Sequence, residues 1–242
     1  HLHILVEQAP TPLRVSLGGG NVDVLIPYAT APDTLLDLAQ DSEVLIFGSS
    51  RAVYHVDPRV IEASLGVSSL NLGSKGRGIL YARMLQALLF ERGARPEVVL
   101  LQVEPNDLYT LKPGRAGLFG PYYDESPVIR AALDETGRFA PLRFASRTYR
   151  YNGLIPSLAM GALRPTSFPF ATRGFLPAQG TLLGVTPPSP EEIDVGSPDG
   201  ADTLLSEALS LYRDFIEDTI AHGARILLFT GPRFRSGPPA IR

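Results

Sequence analysis

Val44-Leu45-Ile46-Phe47-Gly48-Ser49-Ser50-Arg51 is the stretch whose reading decides the fold. Four apolar residues run into a glycine and two serines, and helical periodicity follows at once, so the stretch reads as a buried strand breaking into a helix. In a parallel sheet such a junction lies at the C-terminal edge, where loops and helix N-termini gather and where open α/β folds hold their ligands. A serine at that point has two readings. It caps the following helix, a position Ser favours, or its hydroxyl is a nucleophile.

Downstream, Val53 to Leu65 has helix-like apolar spacing at Val56, Val60, Ile61 and Leu65, restarted at Asp57-Pro58, where Asp caps and Pro takes the first helical position. A short strand, Val67 to Leu70, leads into the loop Asn71-Leu72-Gly73-Ser74-Lys75-Gly76-Arg77-Gly78. Ile79 to Glu91 is an amphipathic helix with Gly93 just past its end. The continuous apolar run Glu97 to Val103 suits a parallel strand covered on both faces, and it ends in Glu104-Pro105-Asn106-Asp107. Upstream, Val22 to Ile26 reads as a strand and Thr34 to Gln40 as a short helix, with Gly18-Gly19-Gly20 a flexible turn.

Residues 110–200 break this rhythm. They are rich in Gly, Pro and aromatics, with one helix expected at Pro127 to Asp134, and they read as an insertion that covers the C-terminal edge of the sheet. Pro187-Pro188-Ser189-Pro190 reads as an exposed connector. A wide helical stripe then runs from Asp202 to Ala221, and Arg225 to Thr230 reads as another buried strand. The expected fold is α/β, a three-layer α/β/α doubly wound parallel sheet of flavodoxin-like type. Residues 1–109 form its first half, 110–200 the insertion and 201–242 its continuation.

Composition narrows the function. With 22 basic and 25 acidic residues the formal net charge is -3, and the basic residues are scattered, so nucleic acid is not an expected partner. The chain has no Cys, which removes disulfides, zinc-thiolate sites and cysteine nucleophiles, and no His and carboxylate pair has metal-ligand spacing. No apolar run approaches the roughly 18 residues of a spanning helix. The chain opens at His1 with the apolar Leu2 to Val6, and an upstream targeting segment or membrane anchor is the expectation there.

Three loops thus close three successive strands and present Ser50, Gly73 with Gly76, and Asn106 at one edge. Acyl transfer by a serine needs such a set: a hydroxyl, oxyanion donors from backbone N–H and a side-chain amide, and a base. The flat alternative is that Ser50 caps a helix, the glycines turn the chain and Asn106 caps the next segment.

The set resembles the SGNH/GDSL hydrolase superfamily. Gly48-Ser49-Ser50 is similar to its first motif with Ser in place of Asp, a variant that resembles the SGNH-like proteins of cell-surface acylation, including relatives of D-alanyl transfer and alginate O-acetylation. Asn71-Leu72-Gly73-Ser74-Lys75-Gly76 is similar to the second motif, and Glu104-Pro105-Asn106-Asp107 to the third, Gly-x-Asn-Asp, with Glu for Gly. The resemblance covers residues 43–107, and 202–232 by general pattern. It implies Ser50 as nucleophile, with Gly76 (Gly73 as alternate) and Asn106 as oxyanion donors. Arg51, Gly73, Asp107, Tyr122 and Tyr123 are the expected substrate contacts, and Tyr149 and Tyr151 join the two tyrosines as a candidate sugar-stacking surface or as core of the insertion.

What the resemblance implies is a serine esterase or O-acyltransferase moving an acetyl-type group on a carbohydrate or cell-surface polymer. It implies no cofactor and no metal, a membrane acyltransferase as partner and an extracytoplasmic location. One part is missing from the pattern. The Asp-x-x-His pair that supplies the base occurs nowhere in the chain, and His1, His3, His55 and His222 are poor substitutes by position. Two expectations follow: the pair lies downstream of Arg242, or the chain is a non-catalytic accessory or carbohydrate-binding relative. A flavodoxin-like nucleotide binder lacks both a P-loop lysine and a Gly-x-Gly-x-x-Gly turn here.

Overall fold

Strand β4, Val44–Phe47, is buried along its whole length, and its side chains alternate between two apolar layers. Val44 and Ile46 join Ala52 on one face, whereas Leu45 and Phe47 enter the larger cluster on the other. That is the pattern of a parallel strand covered on both sides. In the computed structural model of the chain this strand pairs in parallel with β5, Ser69–Asn71, on one side and with β6, Val98–Gln102, on the other. The structure describes residues 3–4, 14–17, 20–23, 38–104, 113–151, 172–177, 185–186, 201–231 and 235–236.

A fourth strand, β8 at Arg225–Phe229, pairs with β6, which gives an all-parallel sheet in the order β5-β4-β6-β8. The chain steps from β4 out to β5 and then crosses back to β6, so the strand order reverses between β4 and β6. Open α/β sheets hold their ligands in the crevice at such a point. Helices α1, Ser50–His55, and α2, Pro58–Leu65, lie on the Val44 and Ile46 face, where Val56 and Ile61 pack. Helices α3, Ile79–Glu91, and α7, Ala201–Ala221, pack on each other and on the Leu45 and Phe47 face. The result is the expected three-layer α/β/α arrangement, and Phe47 against Phe215, with ring centroids 5.2 Å apart and an edge-to-face angle of 78°, ties sheet to helix.

Local chemistry sets the element ends. Asp57 caps α2 by accepting from the Arg59 N–H, Pro58 takes the first turn, and Gly66 closes the helix in the left-handed region. Helix α3 is buried nearly all round because the sheet, α7 and the insertion surround it. Its two buried polar side chains are accounted for. Gln86 donates to the Phe215 carbonyl at 2.8 Å and to Thr219 Oγ1 at 2.6 Å, while Arg83 donates to Gln86 and pairs with Asp218 at 2.5 Å.

The first described part of the insertion, residues 113–151, is helical. A 3₁₀ segment, Pro113–Tyr122, and helices α4, Pro127–Asp134, α5, Ala140–Ala145, and α6, Arg147–Arg150, form a small helical unit that packs along α3. Residues 113–151 therefore lie against the outer side of α3, and Phe119 meets Tyr81 in its first turn with ring centroids 5.1 Å apart. The physical reason is that α3 carries apolar residues on its outer side as well, and the aromatics of the insertion bury that side. Gly120 allows the unit to close, since a Cβ there would stand 2.5 Å from the Arg150 carbonyl oxygen.

Residues 172–177 return to the sheet. The Arg173 carbonyl accepts from the Asn71 N–H at 2.9 Å, the Leu176 N–H donates to the Val53 carbonyl at 3.0 Å, and Arg173 grips Glu62 through Nε at 2.8 Å and Nη2 at 2.7 Å. Burial works to raise the Glu62 carboxyl, but the Ser69 N–H and the Arg173 guanidinium outweigh it and hold the group below the usual glutamate range.

Strand β8 corrects an expectation. It forms where predicted but is not buried: Leu227 is 59% and Leu228 53% exposed, because among the described residues β8 is the edge of the sheet. Elsewhere β2, Arg14–Leu17, and β3, Gly20–Asp23, make a hairpin whose register, Leu17 opposite Gly20, agrees with a turn at the glycines. Strand β1, His3–Ile4, joins its open side, and β7, Val185–Thr186, pairs with β9, Arg235–Ser236. The parts of the expected strand 22–26 and helix 34–40 beyond Asp23 and before Leu38 fall outside the described residues. Among the described residues no helix is long and apolar enough to cross a membrane.

Candidate functional site

At the C-terminal edge, between β4 and β6, the chain leaves Phe47 through Gly48 and enters α1 at Ser50. Gly48 is required there: a Cβ would stand 2.6 Å from Gln102 Cβ and 2.9 Å from Ala52 Cβ, so only glycine lets the turn approach β6 this closely. The cap of α1 is Ser49, not Ser50. Its Oγ accepts from the Arg51 N–H at 3.3 Å and donates to Gln102 Oε1 at 2.8 Å, and its own N–H reaches the same oxygen at 3.0 Å. The cap reading thus belongs to Ser49 and leaves the Ser50 hydroxyl outside the capping role.

Ser50 is half-buried at the first position of α1, and its hydroxyl has no hydrogen-bond partner among the described residues. Its neighbours on both sides are fixed. Ser49 is held by Gln102, and Arg51 Nε pairs with Glu104 Oε1 at 3.1 Å. Gln102 Nε2 in turn donates to Glu104 Oε1 at 2.7 Å and to the Val103 carbonyl at 3.1 Å. Ser49, Gln102, Glu104 and Arg51 therefore close a ring around Ser50, and three of the four members are under 9% exposed. Sequence reading placed Arg51 at the site but missed Gln102 and Glu104 as its support. Glu104 stood only as a departure from a motif, and nothing in a single sequence pairs Ser49 with a residue 53 positions away.

The second loop is brought beside this turn. Ser74 N–H donates to the Gly48 carbonyl at 2.9 Å and Leu72 N–H to the Ile46 carbonyl at 2.7 Å. Gly73 packs against α1, where a Cβ would stand 2.9 Å from Ala52 Cβ. Its N–H is spent on Asn71 Oδ1 at 2.9 Å, so Gly73 is not an oxyanion donor in this conformation. Asn71 uses its amide as well, donating to the Ala52 and Val56 carbonyls at 2.7 and 2.8 Å; it is a clamp on the end of α1. Gly76 lies in the turn that follows, with a left-handed φ of 62°. Asn106 and Asp107 fall outside the described residues, although the strand that carries them ends beside Ser49.

Tyr122 and Tyr123 are buried. They are 5% and 8% exposed within the helical insertion. Tyr123 stacks on Phe144 at 5.5 Å and donates to Asp134 Oδ1 at 2.8 Å, and Arg92, just past the end of α3, covers the Tyr122 ring at 5.4 Å. Tyr149 likewise packs edge-on against Phe144. These rings pack in the core of the insertion, the second of the two readings the sequence offers for them.

Two histidines have described surroundings. His222 follows α7 with its ring on Phe90 at 4.4 Å and Nδ1 2.8 Å from the Asp218 carbonyl, at the opposite end of the sheet from Ser50. His55 is exposed in the last turn of α1, five positions beyond Ser50 and hence about 7.5 Å along the helix axis. A Cβ on Gly231 would stand 3.6 Å from its Nδ1, so His55 leans toward the end of β8. Compared with protein-family models, curated proteins and solved structures, the chain has no match.

Proposed function

We propose that this protein is a serine-dependent ester hydrolase or O-acyltransferase that moves an acetyl-type group on a carbohydrate or cell-surface polymer, with Ser50 as nucleophile. The single observation that carries the reading is the Ser50 hydroxyl, without a partner among the described residues, between two neighbours anchored to the end of β6, at the point where the strand order reverses. Ser50 Oγ attacks the acyl carbonyl, a base takes its proton and returns it to the leaving alkoxide, and water or an acceptor hydroxyl then removes the acyl group from Ser50. The resemblance to SGNH/GDSL hydrolases assigns the oxyanion to the Gly76 N–H and the Asn106 amide, and assigns the base to a histidine. An extracytoplasmic site of action beside a membrane acyltransferase belongs to the same reading.

A second reading is supported by the placement of His55 and His222, neither of which is set to take a proton from Ser50. On that reading the chain is a non-catalytic accessory or carbohydrate-binding subunit on the same scaffold. A fluorophosphonate probe applied to the full-length protein separates the two. The enzyme reading expects labelling that disappears in Ser50→Ala and persists in Ser74→Ala. Absence of labelling in a full-length protein that binds an acylated polysaccharide sinks the enzyme and leaves the accessory.

A further inference from the structure

The ring around Ser50 has a member with every hydrogen-bonding group engaged. Gln102 is 2% exposed, and an amide side chain offers two donor hydrogens and an acceptor oxygen with two lone pairs. Its Oε1 takes the Ser49 N–H at 3.0 Å and the Ser49 hydroxyl at 2.8 Å, and its Nε2 gives to the Val103 carbonyl at 3.1 Å and to Glu104 Oε1 at 2.7 Å. Flipping the amide would set a donor against the Ser49 N–H and an acceptor against the Val103 carbonyl and the Glu104 carboxylate. The orientation is therefore fixed from both ends, and in a buried site each lost bond leaves an unsatisfied group.

The mechanical consequence reaches Ser50 through both of its neighbours. Through Ser49, Gln102 fixes the residue before it. Through Glu104, which also pairs with Arg51 Nε at 3.1 Å, it steadies the residue after it. The loop is closed by the Arg51 N–H on Ser49 Oγ at 3.3 Å. Gly48 brings the turn near enough for these bonds to form. A nucleophile must be held in one geometry to attack, and an error of about 1 Å costs up to roughly 100-fold in rate.

Resting on the reading of Ser50 as nucleophile, we propose that Gln102 is the positioning residue of the site, holding the Ser50 turn through Ser49 on one side and through the Glu104 and Arg51 pair on the other. It does not touch the reacting atoms. Its effect is on the orientation of Ser50, so it acts on turnover and not on substrate affinity.

The test uses the full-length protein and two readouts. One is the rate of Ser50 modification by a fluorophosphonate, together with kcat and KM for p-nitrophenyl acetate. The other is hydrogen exchange of the 47–53 peptide, which needs no activity. Gln102→Met keeps the shape and removes all four bonds, Gln102→Glu keeps the acceptor for Ser49 and loses both donors, and Ser49→Ala removes one of the four together with the helix cap on the Arg51 N–H. We expect Gln102→Met to slow modification by about tenfold or more, to lower kcat with KM unchanged, and to speed exchange in 47–53 by about tenfold while α7 exchanges as before. Gln102→Glu falls between it and the wild type. Should Gln102→Met fail to fold, Ser49→Ala is read the same way. Wild-type modification rate or wild-type exchange in these variants overturns the proposal. A wild-type protein that is never modified overturns the nucleophile reading instead, and the exchange data alone then decide whether Gln102 holds the turn.

Discussion

The division of labour between Ser49 and Ser50 is decided by single atoms. Ser49 Oγ is both the cap of α1 and a donor to Gln102, so removing it costs stability, whereas the Ser50 hydroxyl has no partner among the described residues and its removal leaves the described bonds intact. Ser49→Ala is expected to destabilise the fold by about 1 kcal/mol, the usual range for a lost serine cap. Ser50→Ala is expected to stay within about 0.5 kcal/mol of the wild type. Urea denaturation of the two variants checks this, and equal losses would refute the assignment of roles. Gly48→Ala is a harsher change, because the new methyl must share space with Gln102 Cβ at 2.6 Å and Ala52 Cβ at 2.9 Å. Overpacking of this kind costs about 1–3 kcal/mol, and the variant should lose Ser50 labelling even where it remains folded. The strand-to-serine junction was legible because an apolar run stops at glycine and a helical period begins. Which serine is spent was not legible, since the answer sits on Gln102, in another strand.

At the scale of elements, the chain shows how one helix can attract a whole insertion. Helix α3 buries Tyr81, Met84, Leu85, Leu88 and Phe90, more apolar surface than the sheet and α7 can cover, and the segment 113–151 takes the remainder. The aromatic composition of that segment was visible in the sequence, and it fits a ligand-stacking surface and a small core equally well. Only the outer face of α3 decides for core. Residues 172–177 are held by two backbone hydrogen bonds and by charge. Arg173 ties residues 172–177 to α2 through Glu62, whose carboxyl lies below the usual glutamate range despite the burial that works to raise it. A carboxyl depressed in the folded state contributes stability above its unfolded value, near 4.5, and loses it as pH falls through the lower folded value. The protection factors of Asn71 and Leu176, the two amides this segment engages, should therefore be high at neutral pH and fall below about pH 4.5. In Glu62→Gln the protection should be weaker at neutral pH and flat across that range. A pH-independent profile in the wild type would remove the ion pair as the clamp.

Over the whole molecule, the all-parallel sheet and its helix layers were legible because each strand ends in glycine or a polar loop and each helix shows its period. The standing of β8 was not, since a short apolar run looks the same in the middle of a sheet and at its edge. Its register makes a direct comparison possible. Leu101 on β6 and Leu228 on β8 are paired positions of adjacent strands, the same residue on the same face, yet one is 1% exposed and the other 53%. Burial and not residue type should set their worth. Leu101→Ala removes three buried carbons and leaves a cavity among packed neighbours, a change that costs about 2–5 kcal/mol. For a domain of this size that lowers the melting temperature by on the order of 10 °C. Leu228→Ala gives up contacts on one side only and should cost less than about 1 kcal/mol, which is about 3 °C. Thermal and urea unfolding of the two variants decide the matter, with unchanged m-values showing that the unfolded state is the same in both. If Leu228→Ala falls as far as Leu101→Ala, β8 is covered in solution by another part of the chain or by a second molecule, and the sheet is wider than four strands.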